Sequence, residues 1–278
     1  MRTLPTAIAL VLGIGAAPLA APLAAQATRD QARLLLNVSA GYAWGHSLWT
    51  VSGQPIYDNA TPSVRIDTLR IGRRIRPSLT LGFQGIYYRG DHLGITAEGN
   101  LLGIGFDASC VRTFATASVR NEAVCTSLDQ TEVSSSAVGL SVGLIYRVAS
   151  RETISPFGRV ALGATIANQS SFKTVGTFPS AGSNGAAPGE PVELTIYPDE
   201  AATRVTPSGT IAAGFTAVLA PGYQLRYEVR DNIVGVRAVT GPTAVNGLPP
   251  TTEMRYKHLF GMTIGFDVVL ERRRGRRY

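Results

Sequence analysis

Eight ionisable residues fall on the small-residue side of a chain that alternates strictly: Glu98, Arg147, Arg159, Arg226, Glu228, Arg230, Lys257 and Asp267. Charges of both signs facing one interior must pair, because breaking a buried pair leaves an uncompensated ion. Two readings stay open. One is an internal ion-pair network that fills a narrow lumen. The other is a polar conduit with a mild preference for anions, five of the eight being basic.

Other residue types are weaker candidates for chemistry. Acyl transfer or peptide cleavage needs a base, normally His, within reach of a nucleophile or an acid. The chain has three histidines. His46 and Ser47 are adjacent in an extended segment, so their side chains point to opposite faces. His92 follows Asp91 in a short turn, and His258 lies on the apolar phase of the last segment. These read as ordinary turn and interface residues; no catalytic residue, metal ligand or cofactor-binding residue is expected. Cys110 and Cys125, the only cysteines, lie 15 residues apart in a polar stretch. An oxidising compartment would pair them, stabilising by roughly 3 kcal/mol in the chain-entropy picture. Arg65, Arg70, Arg73, Arg74 and Arg76 crowd one twelve-residue stretch. Either they hold lipopolysaccharide phosphates by bidentate hydrogen bonds, or they solvate an extended hairpin. With Arg70, Arg74 and Arg76 inward and Ile71 and Ile75 outward, that stretch would continue the second strand and pair near Leu48–Val51.

The elements that must position these residues follow from a period of two. In the first segment Leu34, Leu36, Val38, Ala40, Tyr42 and Trp44 share one face, and Leu35, Asn37, Ser39, Gly41, Ala43 and Gly45 the other. The pattern recurs in segments ending near Tyr88, over 93–106, 137–148, 154–168, 210–219, 223–230 and 255–268. In the third the large residues change phase at Leu101-Leu102, which predicts a bulge. Long connections near 46–64, 107–133, 169–204 and 236–254 alternate with short ones such as Arg89-Gly90-Asp91-His92 and Ala220-Pro221-Gly222. The Pro179–Gly189 stretch is expected to be flexible.

Residues 1–27 read as a secretory signal peptide: Arg2, an apolar run from Ile8 to Ala21, and Ala25-Gln26-Ala27 as a small-x-small cleavage site. Charged residues make up 16% of the chain, which excludes a disordered polyelectrolyte. With two lysines, the net charge of +7 resides mainly in the tail 271–278, so a nucleic-acid partner is not expected. A soluble sandwich would expose Lys and Glu on its polar face; here that face is Gly, Ala, Ser and Thr, as suits a narrow closed barrel. The apolar face then meets lipid, where open strand edges are forbidden. Tyr42, Trp44, Phe106 and Tyr256 would form the outer aromatic girdle, and Tyr87, Tyr146, Phe157, Tyr223 and Phe266 the inner one.

The chain thus resembles the small OmpA/OmpX-type outer-membrane β-barrel family over about residues 33–270. The resemblance is carried by the pattern of eight strands and by Tyr223-Gln224-Leu225-Arg226-Tyr227-Glu228-Val229-Arg230, which looks like a penultimate strand of such barrels. Such proteins usually end on an aromatic residue of the last strand; here a basic periplasmic tail follows Leu270. The expected fold is an all-β, eight-stranded antiparallel up-and-down transmembrane barrel over 28–270. The resemblance implies an outer-membrane location, insertion by the barrel assembly machinery, outer-membrane lipid and lipopolysaccharide as partners, and a monomer. The expected role is non-enzymatic, structural or adhesion-like, acting through the long loops. The alternatives are a narrow, porin-like passive channel and a lipopolysaccharide-modifying enzyme.

Overall fold

The computed structural model describes residues 31–57, 65–114, 119–130, 132–133, 136–167, 170–182, 187–199, 204–244 and 246–273. The segment read as a signal peptide and the tail beyond Arg273 lie outside them. In chain order the elements are β1 (Gln31–Ala43), β2 (Ser47–Tyr57), β3 (Arg65–Ile75), β4 (Ser78–Tyr88), β5 (Leu93–Gly103), β6 (Phe106–Phe114), α1 (Val119–Asp129), β7 (Glu132–Val133) and β8 (Ser136–Arg147). They continue with β9 (Ile154–Ala167), β10 (Thr174–Pro179), β11 (Pro191–Tyr197), β12 (Arg204–Ala220), β13 (Tyr223–Val239) and β14 (Thr252–Arg273).

The eight alternating segments close an antiparallel barrel in the order β1-β14-β13-β12-β9-β8-β5-β4. Closure gives every wall strand a partner on both sides, which hydrocarbon demands. Following the paired residues once around the wall from Val205 returns to the same strand at Phe215, ten residues further on. That stagger, at ~3.3 Å per residue against eight spacings of ~4.8 Å, tilts the strands by roughly 40° and leaves a backbone radius of about 8 Å. Such a cylinder has room for side chains and little else. Short turns join the strands at one end. At Pro221-Gly222, Gly222 adopts φ 94°, a left-handed geometry that a side chain would strain.

The outside is apolar: Val38, Leu79, Phe83, Ile95, Val142, Leu162, Ile211 and Ile264 are each more than half exposed. Two expected girdle members are absent from it. Phe106 and Phe157 are buried, the first above the barrel and the second inside it. Nor is there a bulge at Leu101-Leu102, where β5 pairs with β8 in unbroken register from Leu93↔Tyr146 to Gly103↔Ser136. Leu101 faces out, while Leu102 and Ile104 turn inward into an apolar core above the lumen. The phase of the wall holds; the identity of its interior changes. β14 also runs through Arg273, so the first three residues read as tail are strand.

The four long connections build a cap. β2, β3, β6 and β7 form one sheet, and β10 and β11 a second. Val51↔Ile71 and Trp49↔Arg73 place β3 beside β2, near the expected partner segment. However, β3 does not continue β4. Pro77, which has no amide to donate, separates them, and Arg76 instead donates its amide to Gly105 at 2.8 Å. The expected facing is inverted: Leu69, Ile71, Arg73 and Ile75 are buried, and Arg70 and Arg74 are exposed. Helix α1 buries Asn121, Val124, Cys125 and Leu128, one stripe at i, i+3, i+4 and i+7. It lies so close to β10 that a Cβ on Gly176 would sit 2.8 Å from Val124 Cγ1. The Pro179–Gly189 stretch, expected to be flexible, is tied at both ends: Ser180 exchanges backbone hydrogen bonds with Glu190 and Gly189 at 2.8 and 2.9 Å. Its residues 183–186 lie outside the described set.

Candidate functional site

Seven of the eight charges expected in the lumen are buried there. Strands β5, β9 and β13 bring four of them together. Glu98 accepts from Arg159, and from Arg230 at 2.7 Å; Glu228 accepts from Arg159 at 2.8 Å and from Arg230 at 2.9 Å. Two carboxylates and two guanidinium groups thus bond crosswise, the fork geometry in which arginine outperforms lysine. Nearer the short turns Arg226 bonds Asp267 at 3.0 and 3.2 Å, and Asn37 donates to the same carboxylate at 2.5 Å.

Arg147 sits lower still. It donates to the carbonyls of Asp91 and Ala32 at 2.8 and 2.9 Å, with its guanidinium 3.7 Å from the centre of the Tyr88 ring. Lys257, the eighth, is not part of this network. It shares the inward phase of β14 but lies beyond Leu259, which already belongs to the cap core, and is half-buried at the rim.

The charges occupy only the middle of the cylinder. Below them Ala32, Leu35, Ile86, Tyr88, Ile145 and Phe157 close the short-turn end as an apolar plug, with Arg226 stacked 4.4 Å over Phe157. The sequence signal for this plug was present but unread: Leu35, Ile86, Ile145 and Phe157 are large apolar residues on the inward phase. Above the charges, between Asn100, Ser141, Thr210 and Asn232, a void of about 10 Å³ remains. That is the lower limit for one water molecule.

The cap is joined across loops by polar residues that sequence reasoning did not single out. Tyr197 donates to Gln54 Oε1 at 2.8 Å, and Thr243 donates its amide to the same oxygen at 3.0 Å. Gln54 Nε2 donates back to Thr243 Oγ1 at 3.1 Å. One glutamine therefore ties the first, third and fourth long connections. Burial pushes the Tyr197 phenol well above its ordinary range. Cys110 and Cys125 are disulfide-bonded, Cα–Cα 5.3 Å, fastening α1 to β6.

The clustered arginines with described side chains do not share one face. Arg73 is buried, donating to the carbonyls of Ser170 and Lys173 at 3.3 and 2.8 Å, and burial lowers its pKa to about 10. Arg76 pairs with Asp107 at 3.2 Å. Arg70 and Arg74 reach solvent, and the Arg65 side chain lies outside the described residues. The histidines are scattered. His92 Nδ1 lies 2.9 Å from the Arg147 carbonyl, and His258 pairs with Asp231 at 2.7 Å on the outer surface. Among the described residues no three His, Cys, Asp or Glu side chains cluster as a metal site.

A closed wall of eight antiparallel strands, apolar outside and polar within, with all long connections at one end, is the architecture of small outer-membrane β-barrels. No family model and no curated protein matches the sequence. Solved structures are similar in fold. OprG from Pseudomonas aeruginosa is 11% identical with a TM-score of 0.43, over 86% of this chain and 97% of that one. Neisserial surface protein A is 10% identical with a TM-score of 0.40, over 85% and 97%. Ail of Yersinia pestis is 13% identical with a TM-score of 0.30, over 85% and 98%. The likeness goes no further than the fold.

Proposed function

We propose that the chain is a non-enzymatic, non-conducting barrel of the outer membrane that works through its extracellular cap, as envelope structure or surface attachment. One observation carries the reading. The lumen is filled in three layers, an apolar plug, the Glu98–Arg159–Glu228–Arg230 cross and the cap core, so the cylinder serves as an anchor. Long loops facing outward are what such barrels present to the surroundings. In planar bilayers the purified protein is expected to add no steady current at about 100 mM to 1 M salt, roughly the range over which surface charge is progressively screened. A reproducible single-channel step in the wild type overturns the proposal in favour of a passive channel.

Lipopolysaccharide remains the proposed lipid partner, through fewer arginines than expected. Arg70 and Arg74 stand on the exposed face of the cap sheet, whereas Arg73 and Arg76 are engaged within the cap. The double variant Arg70→Ala/Arg74→Ala is expected to lose co-purifying lipopolysaccharide, and Arg151→Ala at a short turn is expected to keep it.

A further inference from the structure

The barrel wall opens at one seam. β12 stays paired with β9 as far as Arg204↔Ala167, and β13 with β14 as far as Val239↔Thr252. Between β12 and β13, however, the ladder stops at Ser208↔Val234. The next residue up β12 is Pro207, which has no amide to donate. The two strands part there, and a cavity of about 360 Å³ lies in the gap. Its volume is at the small end of ligand pockets. Its floor is apolar: Ile75, Ile104, Phe106, Val234 and Val236. Its mouth carries Arg204 and Arg237. Arg204 is paired with Asp199. The Arg237 guanidinium is exposed and has no polar partner among the described residues.

The height of the opening matters. On β13 the lipid-facing row runs Leu225, Tyr227, Val229 and then Asp231, whose ion pair with His258 on the outer surface marks the headgroup zone. Gly235 and Arg237 continue that outward row four and six residues further up, about 10 and 15 Å higher at this strand tilt. An apolar slot rising from the headgroup zone with a cation at its lip suits a molecule with a hydrocarbon tail and an anionic head. The volume suits one chain, not a two-chain lipid.

We propose that the seam between β12 and β13 binds a single-chain carboxylate amphiphile, its tail on Phe106 and Val236 and its head at Arg237. This rests on the outer-membrane placement and not on the lumen being closed, so the bilayer recording and the test below fail independently.

The structure supplies its own reporter. Trp49 donates its indole N–H to the carbonyl of Ser171, a residue lining the cavity, at 2.9 Å. Trp44→Phe leaves Trp49 as the sole tryptophan, since the chain has two. The variant is reconstituted in phosphatidylcholine vesicles and titrated with 12-bromododecanoate, whose bromine quenches a nearby indole over a short range. Saturable quenching is expected. Val236→Phe, and independently Thr206→Phe, fill the slot and abolish saturation. Arg237→Ala weakens apparent affinity about fivefold to tenfold, the loss of one charge-assisted hydrogen bond at a partly wet site. 12-Bromododecanol is indifferent to Arg237→Ala. Linear quenching with added probe, or saturation unchanged in both filled variants, overturns the site. Slot-dependent quenching by brominated phosphatidylcholine, with none by the acid, overturns the single-chain carboxylate in favour of a leaflet lipid.

Discussion

The wall and the cap obey opposite rules within one chain. In the wall, Leu79, Leu81 and Phe83 face outward and Thr80, Gly82 and Gln84 inward; in β3, joined to the wall at Pro77, Ile71 and Ile75 are buried and Arg70 and Arg74 are solvated. The same alternation therefore changes meaning over a few residues, because the solvent outside changes from hydrocarbon to water. The wall gains from backbone pairing that hydrocarbon makes obligatory, and the cap from apolar burial. Each region should fail in its own way.

The largest effect is expected in the lumen. Arg159→Ala leaves Glu98 and Glu228 with Arg230 alone, and breaking such a buried set costs about 3–5 kcal/mol. Urea unfolding from vesicles measures it, and a shift below about 1 kcal/mol would mean that the cross is not what fills the barrel. Next, Ile71→Ala removes a fully buried side chain from the cap, a loss of about 3 kcal/mol. Proteolysis should then cut the cap while the barrel keeps its heat-modifiable gel mobility; simultaneous loss of both would erase the distinction between the regions.

Cys110→Ser/Cys125→Ser should cost the cap roughly 3 kcal/mol or somewhat less, visible as earlier cap proteolysis with the barrel transition unmoved. The smallest effect concerns pH. Tyr197 is held neutral in the folded cap above the ordinary phenol value of 10.0. Its contribution is complete below that pH and is lost as pH rises toward the folded value, because the unfolded chain ionises first. Tyr197→Phe should cost about 1 kcal/mol at neutral pH by removing the bond to Gln54, and should flatten the alkaline fall in cap stability. An identical alkaline profile in the variant would assign that fall to another group.

What was legible in the sequence divides along the same line. Each wall strand pairs with neighbours on a regular meander, so period two located all eight, and the inward phase located Glu98, Arg159, Glu228 and Arg230. The cap is built from non-local pairing: β3 meets β6 across the whole β4–β5 hairpin, as Ile71↔Cys110 and Ile75↔Phe106. No local pattern announces that ladder. Leu102, Ile104 and Phe106 looked like a register slip because large inward residues make no sense over a polar lumen; they make sense under an apolar roof. Arg73 stands among five clustered arginines, which reads as a phosphate contact or a solvated hairpin, whereas two carbonyls and Phe106 hold it inside. Gln54, Tyr197 and Thr243 come from three separate connections, and no spacing links them. Cys110 and Cys125 were readable as a pair because just two cysteines exist.

Both ends of the cap disulfide come from one connection, between β5 and β8. Its oxidation needs no contribution from the other wall strands. The crosslink is thus available to the exported chain before any of it enters the bilayer. This extracellular segment would then cross the membrane already tied into a ring, as a bulkier cargo for insertion than the linear loops beside it.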